Sequence, residues 1–224
     1  MEEPATKRAR TTPALPPLKR HYLTPSKTSW VDVGILPRGF LPADMQAKLN
    51  AEKPATRGKV VMFGREMDVP RWQATFGHDY TFAGVAHKAL PLPECLQEMI
   101  ASFNATSYVT EGPPGFVFNE ALVNWMDDGS EYIGAHSDAL EDLHVVRGWE
   151  TTIVGVSLGA TRTLRLRPKK GMNGYPRDFE LCDRTVYVMG GKTQYTHTHE
   201  IPKIGGKRII GPRVSVTLRC FKEK

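Results

Sequence analysis

Short apolar runs, each broken after a few residues by Gly, Pro or Asn, dominate this chain beyond residue 110, and that punctuation constrains the fold more than any other feature. Runs compatible with strands fall at 59–63, 80–85, 117–126, 151–158, 163–167, 178–189 and 208–221. Apolar residues recur at helical spacing only in 42–50 and 93–105, the second carrying Leu96, Met99, Ile100 and Phe103. The proline opening each of these is tolerated in a first helical turn. The pattern predicts a mainly β fold with flanking α: a double-stranded β-helix (jelly roll) with N-terminal helices.

Residues 1–28 are different, being rich in Pro, Thr, Lys and Arg and almost free of aromatics. Such a stretch buries too little surface to offset the entropy of ordering, so a disordered basic tail is expected, with the folded domain at 29–224. Lys7-Arg8-Ala9-Arg10 and Lys19-Arg20 have the spacing of a bipartite nuclear-import signal, although a solvated or phosphate-binding arm fits the same residues. Nuclear location is the expectation, cytoplasmic the alternative. A net charge of +6 favours a polyanionic partner, nucleic acid before membrane. No apolar stretch approaches a membrane span, and the N-terminus lacks the apolar core of a signal peptide. Cys95, Cys182 and Cys220 lie far apart without CxxC spacing, which points to a reducing compartment rather than to a disulfide framework or zinc ribbon.

Chemistry enters at His136-Ser137-Asp138. On an extended segment an imidazole and a carboxylate two residues apart share a face, and a later histidine can complete a two-His-one-carboxylate iron site with open positions. His197 and His199 are both placed for that part, and only one is needed. The tripeptide alone says little, since 7 histidines and 10 aspartates produce it by chance about one time in three. A second feature sharpens it. Arg213 and Arg219, six apart near the C-terminus, share a face of a strand by period two. A guanidinium fork grips a dicarboxylate such as 2-oxoglutarate better than a lysine does.

With those residues in place, the sequence resembles the AlkB family of Fe(II)/2-oxoglutarate-dependent dioxygenases over residues 60–221, most closely its nuclear DNA-repair branch acting on double-stranded DNA. The resemblance is carried by Phe63-Gly64, Val69-Pro70-Arg71-Trp72, Tyr80-Thr81-Phe82, Val123-Asn124-Trp125-Met126-Asp127-Asp128-Gly129 and Ile133-Gly134-Ala135-His136-Ser137-Asp138. Val156-Ser157-Leu158-Gly159-Ala160, Met189-Gly190-Gly191, His199-Glu200-Ile201-Pro202 and Pro212-Arg213-Val214 continue it in the same order.

This resemblance implies that His136, Asp138 and His199 bind iron, His199 being preferred to His197 because Glu-Ile-Pro follows it. It implies further that Arg213 holds the distal carboxylate of 2-oxoglutarate, that Arg219 lies near the metal-chelating end, and that Asn124 and Ser215 contact the cosubstrate. Phe82 and His136 are expected to sandwich a flipped base, with Tyr80 and Arg71 at the entrance. Phe63 is expected to act as a finger that fills the gap left in a duplex, a packed core phenylalanine being the alternative. A nucleotide-recognition lid is expected at about 58–90 and the catalytic jelly roll at about 116–222. Met126 stands where the family has a tyrosine, and Ser215 where it has an asparagine. Each change removes a polar contact of ~1 kcal/mol or more, so weaker 2-oxoglutarate binding is expected.

The function so implied is oxidative demethylation of N-alkylated bases in DNA, of the 1-methyladenine and 3-methylcytosine type, using Fe(II), 2-oxoglutarate and O2. The expected partner is alkylated, double-stranded DNA, met by a monomer with no membrane association. An RNA demethylase with the same chemistry and a catalytically silent nucleic-acid-binding module of the same fold are the alternatives.

Overall fold

The computed structural model describes residues 14–15, 17–62, 64–82, 85–140, 143–144, 152–205 and 209–222, without the side chains of 61–62, 80–82 and 85–87. The first half holds β1 (Lys19–Tyr22), β2 (Ser29–Ile35), α1 (Met45–Ala51), β3 (Lys59–Met62), β4 (Arg65–Asp68) and β5 (Trp72–Phe76). β6 (Tyr80–Phe82), β7 (Val85–His87), α2 (Glu94–Asn104) and α3 (Ser107–Thr110) follow. Next come β8 (Glu120–Met126), β9 (Ile133–His136), β10 (Ile153–Gly159), β11 (Arg162–Pro168), β12 (Arg177–Leu181) and β13 (Thr185–Gly191). The chain ends with α4 (Thr193–Thr196), β14 (His197–Ile201) and β15 (Arg213–Arg219).

Two antiparallel sheets face each other. The larger has seven strands in the order β1-β2-β13-β10-β15-β8-β5, and the smaller four in the order β12-β11-β14-β9. Alternation along the central strands assigns each residue to one side of the large sheet. Val154, Val156, Val186, Val188, Val214, Val216 and Trp125 pack on the helical side with Leu49, Leu96, Met99 and Phe103. Their neighbours Ile153, Tyr187, Met189 and Met126 pack on the other side with Leu164, Leu166, Leu181 and Ile201 of the small sheet and its margin. α2 follows from its sequence: Leu96, Met99, Ile100 and Phe103 make one buried stripe behind Pro93. The Trp125 indole N–H donates to the Leu49 carbonyl at 3.0 Å, tying the large sheet to α1. The result is a mainly β jelly roll backed by helices.

The tail boundary at residue 28 does not hold, because β1 pairs with β2 from Lys19↔Val33 to Tyr22↔Trp30 and Leu23 is fully buried. Arg20 donates two 2.8 Å hydrogen bonds to buried Asp32 and stacks 3.9 Å over Trp30, so the Lys19-Arg20 cluster is built into the sheet. Composition cannot reveal an order that depends on a carboxylate twelve residues away. The run 178–189 is two strands, one in each sheet. Arg184 takes φ +62° between them and the Thr185 N–H donates to the Cys182 carbonyl at 3.1 Å, a turn without Gly or Pro to announce it. The run 80–85 is likewise two short paired strands, β6 and β7. β2, β4, β5, α3 and β14 lie outside the runs that the sequence pattern marks, and the single turn α4 places a helix in the second half. Phe63 and residues 1–13 lie outside the described residues.

Candidate active site

The residues expected to ligate a metal meet between the two sheets. Antiparallel pairing of β14 with β9 sets His199 opposite His136, and Asp138 follows two residues beyond. One ligand atom from each of His136, Asp138 and His199 lies within 4.8 Å of the others. The two imidazole rings are 4.3 Å apart, and His199 Nε2 is 3.5 Å from Asp138 Oδ2. The Gly134 carbonyl lies 2.8 Å from His136 Nδ1, which as the N–H donor leaves Nε2 with the lone pair that a metal needs. Burial, then the neighbouring His136, pushes His199 down to about 3, so its ring is neutral at physiological pH. Burial alone would raise the Asp138 carboxyl, yet His199, Arg219 and His136 together hold it below the usual carboxylate range.

Asp138 is fixed from two directions. Its backbone N–H donates to Gln194 Oε1 at 3.0 Å, and Arg219 Nη1 donates to its Oδ1 at 3.2 Å. Arg219 in turn gives 2.9 Å hydrogen bonds to both oxygens of Glu120, which also accepts from the Thr75 hydroxyl at 2.7 Å. Arg219 and Glu120 are both fully buried, so each neutralises the other, and Arg219 reaches the site through Asp138.

β8 and β15 build the adjoining wall in register, Met126↔Arg213, Asn124↔Ser215, Leu122↔Thr217 and Glu120↔Arg219. Period two turns these pairs to the same side, and Asn124, Leu122, Arg213, Ser215 and Thr217 line the cavity that holds the triad. Arg213 Nε donates to the Ser157 hydroxyl at 2.9 Å, and Nη1 to the Ser215 hydroxyl at 3.1 Å. Burial lowers this guanidinium to about 10, still cationic at neutral pH. The Met126 thioether sits 3.9 Å from Arg213 Nη1 and 3.2 Å from Arg162 Nη1. Arg71 is buried in the same cavity, donating to Asn124 Oδ1 at 2.6 Å and Gln73 Oε1 at 2.8 Å.

Two buried polar atoms bear on what this cavity holds. Asp138 Oδ2 and Arg213 Nη2 have no hydrogen-bond partner among the described residues. Leaving such atoms unmatched costs about 1–3 kcal/mol each, more for charged groups. An anionic oxygen beside two imidazoles can ligate a cation, and a guanidinium N–H donates to an anion. The donor set therefore fits Fe(II) at the triad and a carboxylate at Arg213.

His197 is also buried, but its ring nitrogens meet the Thr196 hydroxyl at 2.8 Å and the Tyr175 carbonyl at 3.3 Å, away from the triad. Tyr80 and Phe82 lie in β6, with their side chains outside the described residues. Sequence reasoning missed Glu120, Gln194, Tyr187 and Arg162. Glu120 and Tyr187 depend on cross-strand register, and Gln194 on the single turn of α4. Arg162 donates to the carbonyls of Glu131 at 2.7 Å and Pro202 at 2.8 Å, fastening the segment before β9 to the end of β14.

With this geometry in view, the chain belongs to the 2OG-Fe(II) oxygenase superfamily, whose family model matches residues 42–219. Within that superfamily its relatives place it with the AlkB enzymes. It is 32% identical over 170 residues to the DNA oxidative demethylase ALKBH2 of Mus musculus, 30% to that of Bos taurus and 29% to that of Homo sapiens. Each match takes in 72% of this chain but 66%, 56% and 60% of the respective relative, so the chain spans less than two thirds of their length. The structure of OsALKBH1 has the same fold, with a TM-score of 0.54 over 84% of this chain and 97% of that one at 16% identity.

Proposed function

We propose that this chain oxidatively demethylates N-alkylated bases in DNA, of the 1-methyladenine and 3-methylcytosine type. The observation that carries the reading is the pair of orphaned charged atoms in one cavity, Asp138 Oδ2 beside the imidazoles and Arg213 Nη2 on the β15 wall. Relatives named DNA oxidative demethylase support the substrate.

His136, Asp138 and His199 hold the iron. Arg219 keeps the Asp138 carboxylate turned and ionised, Glu120 offsets the charge of Arg219, and Gln194 pins the Asp138 backbone. Arg213, oriented by Ser157 and Ser215, grips the distal carboxylate of 2-oxoglutarate. Asn124, held by Arg71, adds a polar contact along the cosubstrate. When bound, iron with 2-oxoglutarate and O2 supplies the power to oxidise the N-alkyl group. Phe82 and His136 stack on the everted base, Tyr80 and Arg71 stand at its entrance, and the hairpins β3–β4 and β6–β7 form the lid. Phe63, between β3 and β4, fills the gap left in duplex DNA. The chain acts as a monomer on double-stranded DNA in the nucleus, with Lys7-Arg8-Ala9-Arg10 as its import signal.

Mass spectrometry of duplex and single-stranded oligonucleotides bearing 1-methyladenine or 3-methylcytosine, incubated with iron, 2-oxoglutarate and O2, tests the reading. Loss of the methyl group from duplex DNA is expected. Faster loss from RNA strands would move the substrate to RNA, and no succinate would make the chain a silent binding module.

A further inference from the structure

One buried hydroxyl of this cavity has no part in the roles above. Tyr187 on β13 is 6% exposed and lines the same cavity as Arg213 and Asp138. Its cross-strand partner is Gly155 of β10, which on its other side is opposite Thr217 of β15. A Cβ built on Gly155 would stand 2.0 Å from Tyr187 Cζ and 2.4 Å from its hydroxyl oxygen. The phenol therefore lies across the bare backbone of Gly155 and brings its hydroxyl to the Thr217 side chain. Glycine weakens a strand interior, and close approach of another group is what gives it a place there.

The ring packs among the apolar residues between the two sheets and also borders the reaction space. Its hydroxyl feels Arg213 and Asp138, the residues assigned to the cosubstrate clamp and to the metal. Burial raises the phenol against the pull of Arg213, so the group keeps its proton at neutral pH and serves as a donor. Met126, the cross-strand partner of Arg213, presents a thioether and has no proton to give.

We infer that Tyr187 donates its hydroxyl proton in a hydrogen bond to the distal carboxylate of 2-oxoglutarate, beside the Arg213 guanidinium, with Gly155 as the opening that lets the ring cross β10. This rests on reading Arg213 as the 2-oxoglutarate clamp. It offsets the weaker cosubstrate binding that Met126 alone predicts, because a phenol reaches the cavity from β13 instead of from β8.

The test is calorimetric titration of 2-oxoglutarate into the full chain loaded with Mn(II), which needs no turnover. Tyr187→Phe keeps the ring over Gly155 and removes only the hydroxyl. The 2-oxoglutarate Kd is expected to rise about tenfold, as for one hydrogen bond to a charged group, with Mn(II) affinity and melting temperature unchanged. An unchanged Kd overturns the inference, and so does a rise matched by equal weakening of Mn(II) binding and a lowered melting temperature. Arg213→Lys measured alongside separates the two layers. If it leaves the Kd unchanged, the clamp reading itself fails; if it weakens binding while Tyr187→Phe does not, only the role of Tyr187 fails.

Discussion

The two faces of the seven-stranded sheet are made by the same strands and do opposite work. Toward the helices β10 and β15 present Val154, Val156, Leu158, Val214, Val216 and Leu218, each free of polar side-chain atoms. Toward the small sheet the intervening residues are Ile153, Gly155 and Ser157 on β10, and Arg213, Ser215, Thr217 and Arg219 on β15. A period of two lets one strand hold the fold with its even-numbered residues and build the site with its odd ones. The apolar face makes it possible to keep two buried arginines on the other, because burial without a partner is costly and each guanidinium is held by cross-strand neighbours.

If that division is right, changes on the two faces separate function from stability. The largest effect is expected from His136→Ala, which should abolish demethylation while leaving the melting temperature nearly unchanged. Asp138→Ala should also abolish it, but with a lowered melting temperature because it strands the buried Arg219 guanidinium. Turnover assays with a thermal melt of the same preparations check this. On the helical side, Phe103→Ala should cost about 3–5 kcal/mol in denaturant unfolding through the cavity it leaves, with turnover per folded molecule unaltered. Parallel loss of turnover would break the comparison.

Smaller changes sharpen it. Glu120→Gln leaves Arg219 short of its counter-charge beside Asp138, the proposed metal ligand, so metal affinity should fall about 10–100-fold in a Mn(II) titration. His197→Ala should have the mildest consequence, about 1–2 kcal/mol of stability from two lost hydrogen bonds and no change in iron binding, read from melts and metal titration.

The same comparison explains what could be read from the chain alone. Val154, Val156, Leu96 and Phe103 declare themselves by periodicity, and His136 and Asp138 by their spacing on one short segment. The arginines Arg213 and Arg219 share a strand, so their common face was also legible. Glu120 gains its meaning only opposite Arg219, and Tyr187 only opposite Gly155; no local pattern encodes such register. β1 was hidden for the same reason, since Arg20 of the basic, proline-rich stretch pairs across strands with Asp32, which lies beyond that stretch. The turn at Arg184 was hidden because it lacks the glycine or proline that usually marks one.

The central claim is that the inner face closes on a His136, Asp138, His199 iron site with 2-oxoglutarate on the β15 wall. Its most direct test is the visible charge-transfer absorption that Fe(II) develops when 2-oxoglutarate joins it without oxygen. The band is predicted for the full chain and for His197→Ala, and predicted to vanish in His199→Ala. A band that survives in His199→Ala but is lost in His197→Ala would contradict the assignment.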